Sequence, residues 1–220
     1  MYNANFFLLP ALVEIRLRLT LVAELIGASA HTVVQNARKM LGRRDAFMNS
    51  KGMLLSLTRF ESRNSNASIM KSAMCIFMEI FENVRRTGDK IYPQKANRLR
   101  MIYFCVAYKL YLKIWSRYNN TEKSGGYHFP NASQIFQGLR FIENGAIKVT
   151  HCDKCDHYDI EIKFDPNVCL CNGSILGKRK TLLKKRASMI REARAITEEE
   201  IRTMIKATLD LCTETILGIR

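Results

Sequence analysis

Two cysteine pairs constrain this chain more than any other stretch: Cys152-Asp-Lys-Cys155 and, thirteen residues further on, Cys169-Leu-Cys171. Four of the seven cysteines thus fall within twenty residues, and two thiolate pairs flanking a short loop form a metal-ligand pattern. The residues around them say how the loop is built. From His157 to Phe164, polar residues alternate with Tyr158, Ile160, Ile162 and Phe164, the period of two of a strand with one buried face. Before the first pair, Ile147 and Val149 alternate with Lys148 and Thr150. The expectation is two short strands joined by a Cys-x-x-Cys turn, with the second pair completing a tetrahedral site, a zinc-ribbon-like β-hairpin. Thiolates in a closed four-coordinate site suit one structural Zn²⁺ and leave no position for a substrate. Because i and i+2 of an extended segment point the same way, Cys169 and Cys171 can reach one ion together with Cys152 and Cys155. His151 or His157 is the alternative to Cys171 as fourth ligand.

Charge narrows the class of partner. The chain carries 35 Lys and Arg against 20 Asp and Glu, a net charge of +15, which predicts a polyanion, nucleic acid before an anionic membrane surface. With 47% hydrophobic residues in 220, there is enough apolar material for a core, so the chain as a whole is not disordered. An odd cysteine count with metal-like clustering fits a reducing cytoplasm better than a disulfide framework. The apolar run from Phe6 to Leu9 has no basic region before it and is too short for a signal peptide. No apolar run is long enough to span a membrane.

Helical periodicity fills most of the rest. Leu12, Ile15, Leu19, Val22 and Ile26 recur at three and four, predicting one helix over about 11–26 that Gly27 ends. Ser29 then caps a second helix burying Val33, Ala37 and Leu41. This is the helix-turn-helix pattern, over residues 17–42. Gln35, Asn36, Arg38 and Lys39, continued by Arg43 and Arg44, are its candidate DNA contacts. A further helix carries Ile69, Ala73, Ile76, Phe77, Ile80, Phe81 and Val84 and is expected to stop near Gly88. Another runs from Ala96 to about Tyr118, and a polar linker follows over 119–126. A short helix from Asn131 ends at Asn144-Gly145, a left-handed stop.

After the cysteines the chain turns strongly basic. Residues 178–194 hold eight Lys or Arg and one acid, Glu192. Lys178, Arg179, Lys180, Lys184, Lys185 and Arg186 are the candidate phosphate contacts. Thr197-Glu-Glu-Glu200 is a capping box that starts a last helix bearing Ile201, Met204, Ile205, Leu209, Cys212 and Ile216. The predicted fold class is mainly α, with a helix-turn-helix-like segment, the zinc-ribbon-like hairpin and a basic C-terminal helix. The predicted division is 1–145 (helical), 146–177 (zinc module) and 178–220 (basic extension).

Several blocks in this order resemble the FlhC family of transcriptional activators: Lys51-Gly-Met-Leu54, Ala107-Tyr-Lys-Leu-Tyr-Leu112, Leu139-Arg-Phe-Ile-Glu-Asn-Gly145 running into the cysteines, Phe164 with Cys169 soon after, and the Lys178-Arg-Lys180 tail. The family includes the FlhC subunit of the flagellar master regulator and activators of conjugative-transfer genes. The resemblance implies a mostly helical fold with zinc on Cys152, Cys155, Cys169 and Cys171. It further implies assembly with an FlhD-like helical dimer, binding to duplex DNA upstream of promoters, and recruitment of RNA polymerase. Two departures stand out, the Cys-x-Cys spacing and the roughly forty residues beyond Lys180. An enzyme is not expected. No His sits in a His-x-Glu or His-Glu-x-x-His context, and no Walker-type phosphate loop occurs. An RNA-binding zinc-ribbon protein and a zinc-dependent nucleic-acid enzyme are the alternative readings.

Overall fold

The computed structural model describes residues 4–42, 47, 65–118, 130–151, 158–161 and 179–216, with backbone alone at 4, 65–68, 96–98, 159, 161, 179–184 and 215–216. The chain is mainly α. In order come α1 (Leu9–Glu14), α2 (Leu19–Ile26), α3 (Ala30–Leu41), α4 (Ser65–Ile91) and α5 (Ala96–Tyr118). After them come α6 (Ala132–Glu143), β1 (Lys148–His151), β2 (Tyr158–Glu161), α7 (Arg179–Arg194) and α8 (Glu198–Ile216). No helix among the described residues is long and apolar enough to cross a membrane. These elements fall into two compact units that do not follow chain order. One comprises Met1–Met53, Val84–Lys109 and Thr197–Arg220; the other comprises Leu54–Asn83 and Leu110–Ile196. Helices α4 and α5 contribute residues to both.

In the first unit, α1 packs on α8 and on α3, and α2 packs on α3. Leu9, Leu12, Leu17, Val22, Ile26, Val33, Ala37, Ile201 and Ile205 are all fully buried. The helix expected over 11–26 is two helices. Arg16 stands at φ 57°, its N–H on the Val13 carbonyl at 2.9 Å and the Leu17 N–H on the Leu12 carbonyl at 3.0 Å. That is a Schellman ending built on arginine instead of glycine, closed by the apolar pair Leu12 and Leu17. The apolar spacing continues across the break, so periodicity alone reads it as one helix. At α2 the same ending recurs with Gly27, at φ 70°.

Cys105 and Cys212 are buried in this unit as free thiols. Burial pushes the Cys212 thiol up to about 11 and Cys105 higher still, so neither behaves as a nucleophile near neutral pH.

The second unit is centred on the middle of α4. Met74, Cys75, Ile76, Phe77 and Ile80 are fully buried there, together with Tyr111, Ile135 and Ile190. Phe77 meets Tyr111 edge to face, with ring centroids 6.3 Å apart. Helix α6 begins at Asn131, whose side chain accepts from the Gln134 N–H while the Gln134 side chain accepts from the Asn131 N–H, a reciprocal cap. It ends before Gly145, at φ 74°.

Helix α4 runs through Gly88 instead of stopping there. A β-carbon at that position would lie 2.4 Å from the Tyr103 ring. Glycine therefore serves close helix packing and not termination. Gly88→Ala should destabilise the protein by about 1–3 kcal/mol, read as a lowered denaturant midpoint. Adding Tyr103→Leu should recover part of the loss, whereas additive losses would refute the steric account.

Candidate nucleic-acid interface and cysteine hairpin

Helix α3 opens with Ser29, whose hydroxyl accepts from the Thr32 N–H at 3.1 Å, and closes at Gly42, φ 62°. Three residues, 27–29, separate it from α2. Val33 and Ala37 are fully buried, and His31, Gln35, Arg38 and Lys39 are exposed on the opposite side. Asn36, expected from the sequence to belong with these, is only half exposed. Its amide donates to the Thr32 carbonyl at 2.8 Å, within the helix itself. Arg43 and Arg44 lie outside the described residues. His31 is the residue sequence reasoning missed on this face. It sits one turn before Gln35, and their side chains meet at 2.8 Å.

The basic cluster divides. Lys178 lies outside the described residues, and the side chains of Arg179, Lys180 and Lys184 do too, although these three belong to α7. Lys185 is exposed. Arg186, expected to contact phosphate, is 5% exposed, and its Nη2 donates to the Tyr158 carbonyl at 2.9 Å. It is an internal brace. The reason is helical phase: Arg186 shares the buried stripe of Ile190 and Ala193, at i, i+4 and i+7.

Strands β1 and β2 pair antiparallel, with His151 opposite Tyr158 and Val149 opposite Ile160. The rings of His151 and Tyr158 meet edge to face at 5.3 Å, and Ile147 and Ile160 are buried. Residues 152–157, which include Cys152 and Cys155, join the two paired positions His151 and Tyr158. Cys152, Cys155, Cys169, Cys171 and His157 lie outside the described residues. Among the described residues no three His, Cys, Asp or Glu come together as metal ligands.

Tyr158 is held from outside the sheet through both of its backbone groups. Its N–H donates to Glu79 Oε1 at 3.3 Å, and its carbonyl takes Arg186. Glu79 also accepts from Arg194, Nε to Oε2 at 3.1 Å and Nη2 to Oε1 at 3.1 Å, a bidentate pair. The Glu79 side chain is 7% exposed and that of Arg194 is 36% exposed. A lone acid inside the run Ile76-Phe-Met-Glu79-Ile-Phe81 was a readable signal, because an ionised carboxylate is buried only with partners.

No family model, curated protein or solved structure matches the chain.

Glu79→Ala removes the acceptor shared by Arg194 and Tyr158. Breaking a buried pair from one side costs about 3–5 kcal/mol, and partial exposure of Arg194 puts the expected loss at the lower end. Amide exchange at Tyr158 should rise more than exchange at Phe104 in the first unit. Equal protection at Tyr158 in the wild type and the variant would count against the clamp.

Proposed function

We propose that this chain is the zinc-containing, DNA-binding subunit of a hetero-oligomeric transcriptional activator of FlhC type, acting upstream of promoters. The observation that carries the reading is α3: a capped helix one short turn after α2, apolar toward its own unit and presenting His31, Gln35, Arg38 and Lys39 outward. These features support reading α2 and α3 as a helix-turn-helix, a motif whose second helix enters the major groove. The +15 net charge supplies the long-range attraction to the duplex. Exposed Lys185, with Lys178, Arg179, Lys180 and Lys184, supplies phosphate contacts, which position a protein without reading sequence.

Zinc would be held by Cys152, Cys155, Cys169 and Cys171. The hairpin fits such a site because Cys152 and Cys155 lie in the six residues that connect two cross-strand partners. Antiparallel partners stand only about 5 Å apart, so the segment that contains Cys152 and Cys155 starts and ends at one place. The metal's role would be structural, adding its binding free energy to the stability of the hairpin. An FlhD-like helical dimer and RNA polymerase are the partners proposed, in a bacterial cytoplasm, for flagellar or conjugative-transfer genes.

Gel shifts with duplex DNA and with RNA of equal length test the reading, and duplex DNA should win. Replacing Lys178, Arg179, Lys180, Lys184 and Lys185 with Gln should flatten the log K against log salt slope by about 0.9 for each phosphate that is no longer neutralised. An unchanged slope would remove this cluster from the interface. Tighter binding to RNA would replace the DNA reading altogether.

The zinc assignment has its own check. Purified protein should carry one equivalent of zinc, and Cys152→Ser with Cys155→Ser should abolish it and expose residues 146–171 to protease. Full zinc content and protease resistance in that double variant would sink the assignment.

A further inference from the structure

The proposed reading helix contains a side-chain pair that fixes what one of its residues can offer a base. Gln35 Nε2 and His31 Nε2 lie 2.8 Å apart, both side chains on the exposed face of α3. An amide nitrogen only donates, so the imidazole Nε2 is the acceptor and the ring proton sits on Nδ1. One Gln35 N–H is thereby committed to His31. The second N–H and the carbonyl Oε1, one donor beside one acceptor, are not used by that bond. Asn36, the other amide nearby, gives its N–H to the Thr32 carbonyl and is only half exposed. Gln35 is thus the amide of this face that projects outward with its orientation set by a neighbour.

Resting on the helix-turn-helix reading, we propose that His31 is a positioning residue that fixes the Gln35 amide so that α3 selects adenine. Adenine presents N7 as acceptor and N6–H₂ as donor in the major groove, and a glutamine matches both with Nε2–H and Oε1. Guanine presents O6 and N7, two acceptors. A Gln35 amide turned the other way would aim its two N–H groups at guanine; that turn sets Oε1 against His31 Nε2 and so requires the ring proton to move from Nδ1 to Nε2. His31 itself need not touch the base.

The test uses the full-length chain and a library of randomised duplexes, with bound molecules sequenced. Wild-type protein should enrich adenine at one fixed position, and Gln35→Ala should erase that preference, a loss of roughly 5- to 150-fold for one bidentate contact. His31→Ala should lower the adenine preference several-fold. The double variant should be no worse than Gln35→Ala, since His31 acts only through Gln35. His31→Gln, which keeps an acceptor at the reach of Nε2, should restore the preference. Guanine enrichment by the wild type, additive losses in the double variant, or failure of His31→Gln to rescue would each overturn the proposal while leaving DNA binding standing. Absence of any base enrichment by wild-type protein would overturn the helix-turn-helix reading and this inference with it. Matching helicity and melting of the variants shows that a lost preference is not lost fold.

Discussion

The second unit depends on one buried carboxylate. Glu79 stands in the most apolar part of α4, where an unpaired charge would be far too costly to keep. Its two oxygens are answered by the Arg194 fork and by the Tyr158 N–H. Because those donors come from α7 and β2, satisfying Glu79 places a helix and a strand at once. Arg186 completes the arrangement by taking the Tyr158 carbonyl. An exposed strand edge invites pairing with another chain, and at Tyr158 side chains from two helices close it instead. The hairpin that carries Cys152 and Cys155 is therefore anchored by polar geometry next to its loop, in addition to the apolar packing of Ile147 and Ile160.

This arrangement changes how the basic charge should be counted. Arg186 faces inward to Tyr158, Arg194 is held at Glu79 while part exposed, and Arg117 pairs with Glu192. Lys90 pairs with Glu198 at 2.5 Å and Lys109 with Glu14 at 2.6 Å. Such exposed pairs add little stability, about 0–1 kcal/mol each, and each leaves a cation partnered by a carboxylate. A basic run in a sequence overstates the cations that face outward whenever the helix it forms also has a buried stripe.

Where local chemistry decides an element, it was legible. Ser29 starts α3, Asn131 and Gly145 bracket α6, and Thr197, which accepts from the Glu200 N–H at 3.2 Å, starts α8. The alternation around Ile147 and Ile160 gave the paired strands. Where packing decides, sequence misled. Gly88 reads as a stop yet admits the Tyr103 ring, and Arg16 reads as helix interior yet turns the chain. The outward face of α3 was legible in Gln35, Arg38 and Lys39. The restraint of Asn36, the pairing of His31 with Gln35 and the burial of Arg186 depend on side-chain partners that spacing does not reveal. The four cysteines proposed as ligands, Cys152, Cys155, Cys169 and Cys171, lie outside the described residues.

The packing of α8 on α1 has a consequence for synthesis. Ala11 of α1 lies beside Cys212 of α8, across two hundred residues of chain. During translation the first three helices emerge early, but the surface of α1 that α8 covers has no cover until residue 212 has left the ribosome. At synthesis rates of about 5–20 residues per second, that is an interval on the order of ten seconds or more. For that time the part of α1 that packs on α8 is an uncovered apolar surface of the kind holdase chaperones bind. The nascent chain should therefore depend on such assistance more heavily than its length suggests.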